Sequence, residues 1–294
     1  MIGIWLLAQA GIEVLMKAFV TGGSGFIGRS IVRKLVERGY EVSVLVRSPQ
    51  SGAGLDALGV DLVVGDVTDS ESMREAMQDC DVVYHVAGYV DTGDPDPAAM
   101  EMINVGGTRK VLRLAYELDI PRIVFTSTTA VFGDTKGEMV DESYQAGEVY
   151  LTEHARTNWL AHYKVAVPLI EKGAPIIIVM PGGVYGPGGR GLVADMMRLF
   201  YRGYPLVAGA DTVLTFAHVD DIAEGHILAA EKGQVGETYI LCGPAVPLGD
   251  MLDFWTYLTG IKGPKIRLPG ALVRKSAPAL SLVGRTTGLQ TAFS

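Results

Sequence analysis

The sequence predicts an α/β protein built on a doubly wound parallel sheet, with a small further region towards its C-terminal end. Three features point there. The buried run Ala18-Phe19-Val20-Thr21 passes through Gly22-Gly23-Ser24-Gly25 into a helix start at Phe26-Ile27-Gly28. Short apolar runs then alternate with segments of helical spacing, the pattern of parallel strands joined by crossover helices. Gly22, Arg47, Asp66, Ala87 and Ser127 fall at the carboxyl ends of successive runs, where such sheets bind their ligands.

The first strand and turn are followed by a helix whose apolar face is Ile27, Ile31, Val32, Leu35 and Val36, closed by Gly39. Glycines at 22, 25 and 28 suit a dinucleotide-binding turn. One permits the tight turn, one lets backbone N–H groups approach a pyrophosphate, and one lets helix pack on strand. The helix N-terminus then faces the phosphate charge. Glu41 to Val46 is predicted as the second strand and runs into Arg47-Ser48. An NAD-preferring site would place a carboxylate there for the ribose 2′-hydroxyl; a cation and a hydroxyl suit a 2′-phosphate instead. NADP is therefore expected as cofactor and NAD is the second choice, while an ordinary surface arginine is the plainer reading.

Residues 61–66 give a third strand ending in Gly65-Asp66. Ser70 to Met77 is predicted as a helix with Ser70 as its cap. Residues 81–87 form a fourth strand, followed by a loop at 88–97 long enough to be functional. A helix from about 98 to 118 carries Gly106-Gly107 in its middle, which weakens it and implies close backbone packing. Residues 121–127 form the fifth strand and 174–180, wholly apolar, a central sixth.

Composition narrows the function classes. The 294 residues are 48% hydrophobic and 20% charged, the balance of a globular chain with a large core. A formal net charge of -8 opposes a general nucleic-acid surface. The two cysteines, Cys80 and Cys242, adjoin apolar runs and read as buried free thiols. The five histidines show no metal-binding spacing, so no metal is expected. Residues 2–15 are apolar but too short to span a bilayer, and they lack a basic n-region and cleavage site. They read as an extension upstream of a start at Met16, or else as a weak membrane-associating segment. Stable membrane insertion is not expected, and the expected location is the cytoplasm.

Seven motifs in order carry a resemblance: residues 21–28, Gly65-Asp66-Val67, His85-Val86-Ala87-Gly88, Asn104-Val105-Gly106-Gly107-Thr108, Phe125-Thr126-Ser127-Thr128, residues 181–187 and residues 218–223. The chain resembles the extended short-chain dehydrogenases/reductases of the NAD(P)-dependent epimerase/dehydratase group. It is most similar to their dihydroflavonol-4-reductase-like and 3β-hydroxysteroid-dehydrogenase-like branch. The resemblance covers residue 17 onwards. It implies a Rossmann-like NAD(P)-binding domain over 16–180 and a mainly substrate-binding region over 181–294, sequence-discontinuous with the core. It implies that Gly22, Gly25, Phe26, Ile27 and Gly28 meet the pyrophosphate, that Asp66 contacts the adenine amino group, and that Val67 lies beside the ring. Ala87 and Gly88 would line the nicotinamide half, Ser127 would end the fifth strand under the cofactor, and Pro181 to Val184 would pass near the nicotinamide amide. The plainer readings are a turn-forming Asp66 and a strand-ending Pro181.

Such enzymes use a Ser or Thr hydroxyl, a Tyr, and a Lys four residues after the Tyr on one helix face. The Tyr moves the proton, and the Lys lowers its pKa and holds the ribose. Thr128 takes the hydroxyl position, but His154 stands where Tyr is expected and Asn158 where Lys is expected. Tyr163-Lys164 are adjacent and point about 100° apart on a helix. Three readings follow. Imidazole titrates near neutral pH, so His154 serves as the acid while Asn158 holds the ribose. Or the chain binds NADP without turnover. Or it descends from a drifting gene.

The remainder is expected to form the substrate part: a glycine-rich loop at 182–191, a helix at 192–201, and Asp220-Asp221 opening a further helix. Residues 262–294 are richer in Lys, Arg, Pro and Leu and read either as a closure over the substrate or as a basic amphipathic tail. The expected activity is NADP(H)-dependent carbonyl reduction or secondary-alcohol oxidation on a small organic substrate. The alternatives are a catalytically weakened NADP-binding protein and a nucleotide-sugar epimerase or dehydratase. A homodimer is compatible with this reading.

Overall fold

The computed structural model describes residues 15–90, 96–145, 147–189 and 192–272. Half of the loop expected at 88–97, residues 1–14 of the N-terminal extension, two residues of the 182–191 loop and residues 273–294 of the basic tail lie outside those residues.

The chain forms two compact units: residues up to Gly188 with Ala217–Cys242, and Gly189–Phe216 with Gly243 onwards. The first holds the parallel sheet. Its strands are β1 (Lys17–Thr21), β2 (Glu41–Val46), β3 (Asp61–Val64), β4 (Val82–His85), β5 (Arg122–Thr126), β6 (Ile176–Pro181) and β10 (Thr238–Leu241), ordered β10-β6-β5-β4-β1-β2-β3. Every pairing is parallel. The order reverses at β1, which pairs with both β2 and β4, so the crevice of this sheet opens at the end of β1.

Period-two alternation sorts the strands onto two cores. On one face Ala18, Val20, Val44, Val124 and Ile177 meet α1 (Phe26–Glu37) and α8 (Val219–Lys232) through Ile31, Leu35, Ala223 and Ile227. On the other, Phe19, Val83, Ile123 and Ile178 meet α2 (Glu71–Met77), α4 (Thr108–Glu117) and α5 (Glu153–Ala161) through Met73, Leu112 and Trp159. Both faces are apolar because both are covered by helices. Arg33 pairs with Asp220, and Lys34 and Arg38 pair with Glu224, along the α1–α8 seam. These pairs are partly exposed, so they set register while apolar packing supplies the stability.

The helix expected at 98–118 is helical throughout its described length but not uniformly α-helical. α3 (Pro97–Glu101) runs through a π-helical turn at Met102–Gly107 into α4. A second π turn, His162–Ala166, joins α5 to α6 (Val167–Ile170). Two local expectations are corrected. Ser70 makes no side-chain cap, and the Glu71 N–H bonds the Asp69 carboxylate 3.1 Å away. Cys80 is buried, but Cys242 is only half-buried, since it ends a strand at the sheet margin. Residues 217–242 belong to the first unit. The physical reason is that β10 pairs with β6 and α8 packs on α1.

The second unit comprises α7 (Leu192–Tyr201), β8 (Leu206–Ala208), most of β9 (Val213–His218), β11 (Ala245–Pro247), α9 (Leu248–Thr259) and β12 (Ile266–Leu268). The three-residue β7 (Gly183–Tyr185) belongs to the first unit. Phe200, Leu248 and Leu252 centre the second unit's small core beside an apolar hollow of about 60 Å³.

Three buried histidines brace the sheet. His85 bridges the Thr21 and Thr108 hydroxyls at 2.8 and 2.9 Å. His162 Nδ1 meets Ser127 Oγ at 2.9 Å. His226 Nε2 meets Thr126 Oγ1 at 3.0 Å while its Nδ1 donates to the Ile222 carbonyl at 2.7 Å. Burial pushes His85 down to about 3 and both His162 and His226 down to about 4. Each folded-state value lies below the unfolded value near 6.5, so the unfolded chain binds more protons between those limits. Stability present above pH 6.5 is therefore expected to fall as pH drops towards 4, by roughly 3 kcal/mol for His226 at about 1.4 kcal/mol per pH unit. Denaturant unfolding at stepped pH checks this, and His226→Gln is expected to flatten the slope.

Candidate functional site

The crevice at the end of β1 is made by missing side chains. Gly22 has φ +73°, and a Cβ there would stand 2.6 Å from the Ala87 backbone nitrogen. A Cβ on Gly28 would stand 2.1 Å from the Gly22 carbonyl oxygen. Both approaches require glycine, as the spacing implies. Gly25 donates its N–H to that carbonyl at 2.9 Å and precedes α1 in extended conformation. Gly23, not singled out from the sequence, is equally constrained, since a Cβ would meet Val44 Cγ1 at 2.5 Å. No side chain caps α1 and no acid stands in its first turn. The backbone N–H groups at Phe26, Ile27 and Gly28 thus start a helix whose positive end suits an anion. These groups fit the pyrophosphate of a dinucleotide.

Arg47 is exposed just past β2. Ser48 is turned into a local cap, its hydroxyl accepting the Ser51 N–H at 3.3 Å. Asp66 lies past β3, and its Oδ1 accepts from the Thr68 N–H and hydroxyl at 2.8 and 2.7 Å. Those two bonds hold its carboxyl below the ordinary range, with Arg47 and Lys110 adding to the effect. Asp66 therefore forms the turn of the plainer reading with one of its two carboxylate oxygens. Val67 is buried against Gly107, where a Cβ would meet Val67 Cγ2 at 2.8 Å.

Past β4, the Ala87 N–H reaches Thr21 Oγ1 at 3.3 Å, and Gly88 faces Asn104. Asn104 is 3% exposed and is the residue whose position the sequence did not disclose. Its Oδ1 accepts the Tyr89 N–H at 2.6 Å, and its Nδ2 lies 3.1 Å from the Tyr89 carbonyl and 3.0 Å from the Thr157 hydroxyl. The π turn aims this amide, and π turns recur where a helix is diverted for a local purpose. It latches the segment after β4 to α5 beside Asn158. The signal available in the sequence was the glycine pair at 106–107.

At the end of β5 three successive hydroxyls part company. Thr126 and Ser127 turn to opposite faces, towards His226 and His162, so the Ser127 hydroxyl is spent in the core. Thr128 stays half-exposed, its oxygen accepting the Ala130 N–H at 3.2 Å. The following turn, Thr129–Phe132, packs on α5. Thr129 donates to the Pro181 carbonyl at 3.5 Å, at the limit of such a bond, and Val184 is half-buried in β7. Thr128, α5 and the end of β6 are thus gathered at one edge of the sheet.

Thr152 caps α5 by accepting the Ala155 N–H at 3.0 Å. His154 and Asn158 sit one turn apart, both half-buried. Asn158 Nδ2 donates to the His154 carbonyl at 2.8 Å and lies 3.2 and 3.4 Å from the two ring nitrogens. The two residues that stand where Tyr and Lys were expected therefore form one coupled unit of imidazole and amide. The neighbouring Lys164 is drawn elsewhere, to Glu148 at 3.2 Å and over the Trp159 ring at 4.9 Å. Tyr163 is half-buried against the Trp159 and His162 rings. Among the described residues no group of three His, Cys, Asp or Glu is placed to hold a metal ion.

The profile of the NAD dependent epimerase/dehydratase family matches residues 18–242. A Synechocystis protein provisionally named dihydroflavonol 4-reductase is 34% identical over 260 residues, covering 85% of this chain and 75% of its own. The 4-hydroxy-2-methyl-3-oxo-4-farnesyl-3,4-dihydroquinoline-1-oxide ketoreductase of Stigmatella aurantiaca is 31% identical, covering 89% and 79%. The crystal structure of gox2253 superposes with a TM-score of 0.81 at 32% identity, covering 93% of this chain and 84% of that one. The glycine cradle, the all-parallel sheet and these likenesses agree: the chain belongs to the NAD dependent epimerase/dehydratase family, in the extended short-chain dehydrogenase/reductase branch.

Proposed function

We propose that the protein binds NADP(H) and catalyses hydride transfer between it and the carbonyl or secondary-alcohol carbon of a small organic molecule. The observation that carries the cofactor choice is Arg47, an exposed cation at the end of β2 with no carboxylate in its place. Gly22, Gly25 and Gly28 with the first turn of α1 would hold the pyrophosphate, Arg47 the 2′-phosphate, and Asp66 and Val67 the adenine. Ala87, Gly88, Pro181 and Val184 would flank the nicotinamide. The bound cofactor supplies or accepts the hydride. The relatives named as reductases support the direction of the chemistry.

The chain's own residues then handle the proton. The Thr128 oxygen is engaged by the Ala130 N–H, which leaves its O–H free to be donated to a substrate oxygen. His154 replaces the phenol as the group that gives or takes the proton at a ring nitrogen. Asn158 spends its amide N–H on the His154 carbonyl and keeps Oδ1 as an acceptor for a ribose hydroxyl. Lacking the charge of lysine, it cannot lower a neighbour's pKa through a nearby positive charge. That loss favours the second reading, a weakened enzyme that binds NADP with little turnover.

Two expected outcomes follow from these roles. Arg47→Asp weakens NADPH binding roughly 10- to 100-fold and moves preference towards NADH, because the new carboxylate repels a 2′-phosphate and suits a hydroxyl; titration of nicotinamide fluorescence measures both. Turnover with a panel of ketones falls about 10²-fold or more in His154→Phe if the imidazole is the acid. In the weakened reading the wild type binds NADPH without turnover, and the double change His154→Tyr/Asn158→Lys raises the rate instead.

A further inference from the structure

The turn after β3 is clamped from two sides. Ser72, in the first turn of α2, accepts the Asp66 N–H on its hydroxyl at 3.2 Å, and the Asp69 N–H closes on the Asp66 carbonyl at 2.9 Å. Gly65 permits that approach, since a Cβ there would stand 2.6 Å from Ser72 Oγ. From the other side Lys110 of α4 donates to the Thr68 carbonyl, and Val67 packs on Gly107 at the start of that helix. The main chain of 66–68 is thus fixed by two helices.

The Asp66 side chain is fixed by Thr68. The Thr68 N–H and hydroxyl both end on Oδ1, at 2.8 and 2.7 Å. The N–H bond alone closes an Asx turn and is open to almost any residue at that place. The hydroxyl bond is particular to a side chain with an O–H, and it adds a second direction to the grip on Oδ1. No described residue donates to Oδ2. Asp66 is half-buried, and its carboxyl is held in the charged form. A carboxylate is an acceptor only, so Oδ2 takes an N–H and repels a carbonyl oxygen.

We propose that Thr68 is a positioning residue for the base of the cofactor: by gripping Oδ1 it commits Oδ2 to the exocyclic amino group of an adenine, so that the site discriminates adenine from a 6-oxopurine. This rests on the proposed place of the adenine beside Asp66 and Val67.

The test compares NADPH with reduced nicotinamide hypoxanthine dinucleotide phosphate, which carries a carbonyl where adenine carries its amino group. Both are titrated against the full chain by nicotinamide fluorescence. The wild type is expected to bind NADPH about tenfold more tightly or better. Asp66→Asn is expected to bring the two affinities together, because an amide can turn an N–H towards a carbonyl. Thr68→Val keeps the backbone N–H and the side-chain shape but lacks the O–H. It is expected to cut the ratio to about threefold or less, chiefly by weakening NADPH, while Thr68→Ser keeps the wild-type ratio. In Thr68→Val the loss of NADPH affinity on acidification is also expected to begin at a higher pH, since one of the bonds that hold the carboxyl down is gone. Thr68→Ala repeats the comparison without the branched side chain. An unchanged ratio in the valine and alanine variants, with Asp66→Asn still losing it, overturns the inference and leaves the adenine reading intact. Equal weakening of both dinucleotides in those variants also overturns it, because damage to the turn does not distinguish the bases. A wild type that binds both equally, or neither, overturns the adenine reading and the inference with it.

Discussion

The structure depends on one close approach, that of the β1–α1 turn to the backbone after β4. Gly22 and Gly28 leave no room for a single methyl group there. Because the two backbones touch, the end of β1 forms the floor of a crevice rather than a gap between strands. Because Gly28 presses on the Gly22 carbonyl, the first turn of α1 is held with its N–H groups towards that crevice. An alanine at either position would have to move one chain against the other. The anion site is thus a packing solution before it is a binding solution.

A second layer of organisation lies just beneath. His85, His162 and His226 are buried, neutral and hydrogen-bonded to the hydroxyls of Thr21, Ser127 and Thr126. A neutral imidazole satisfies two partners at fixed directions. These pairs lock the carboxyl ends of β1, β4 and β5, and the ligand-facing groups grow from those ends. Fixing the ends is worth more here than any surface ion pair, since the exposed pairs along the α1–α8 seam are screened by solvent.

The edge that gathers Thr128 and α5 is held by hydrogen bonds from both sides. Asn104 ties the segment after β4 to Thr157, and Thr128 stands half-exposed beside the turn that packs on α5. What the frame holds at the two decisive positions is an imidazole and an amide that contact each other. A cation one turn away would act on the imidazole through its charge; the amide acts on it through contact. The frame therefore fixes the direction of these two side chains without supplying a charge beside the imidazole.

The repeating apolar runs determined the sheet, because a strand covered on both sides by helices must be apolar on both sides. Glycine spacing determined the cradle, because only backbone sterics are at stake there. Family membership followed from ordered motifs. Local side-chain partners were not legible in the same way. Ser127 and Thr128 are neighbours with similar hydroxyls, and only the pleat, which sends one to His162 and leaves the other half-exposed, separates their roles. Asn104 looked like a helix residue until the π turn aimed its amide at Tyr89. Nor could the sequence divide the chain at residue 188 and return 217–242 to the first unit, since strand pairing between β10 and β6 is a long-range contact. Sequence alone determined the periodicities and the backbone permissions of this protein. Tertiary structure decided which polar atoms are spent on the core and which are left to face a ligand, because each such choice depends on a partner far away along the chain.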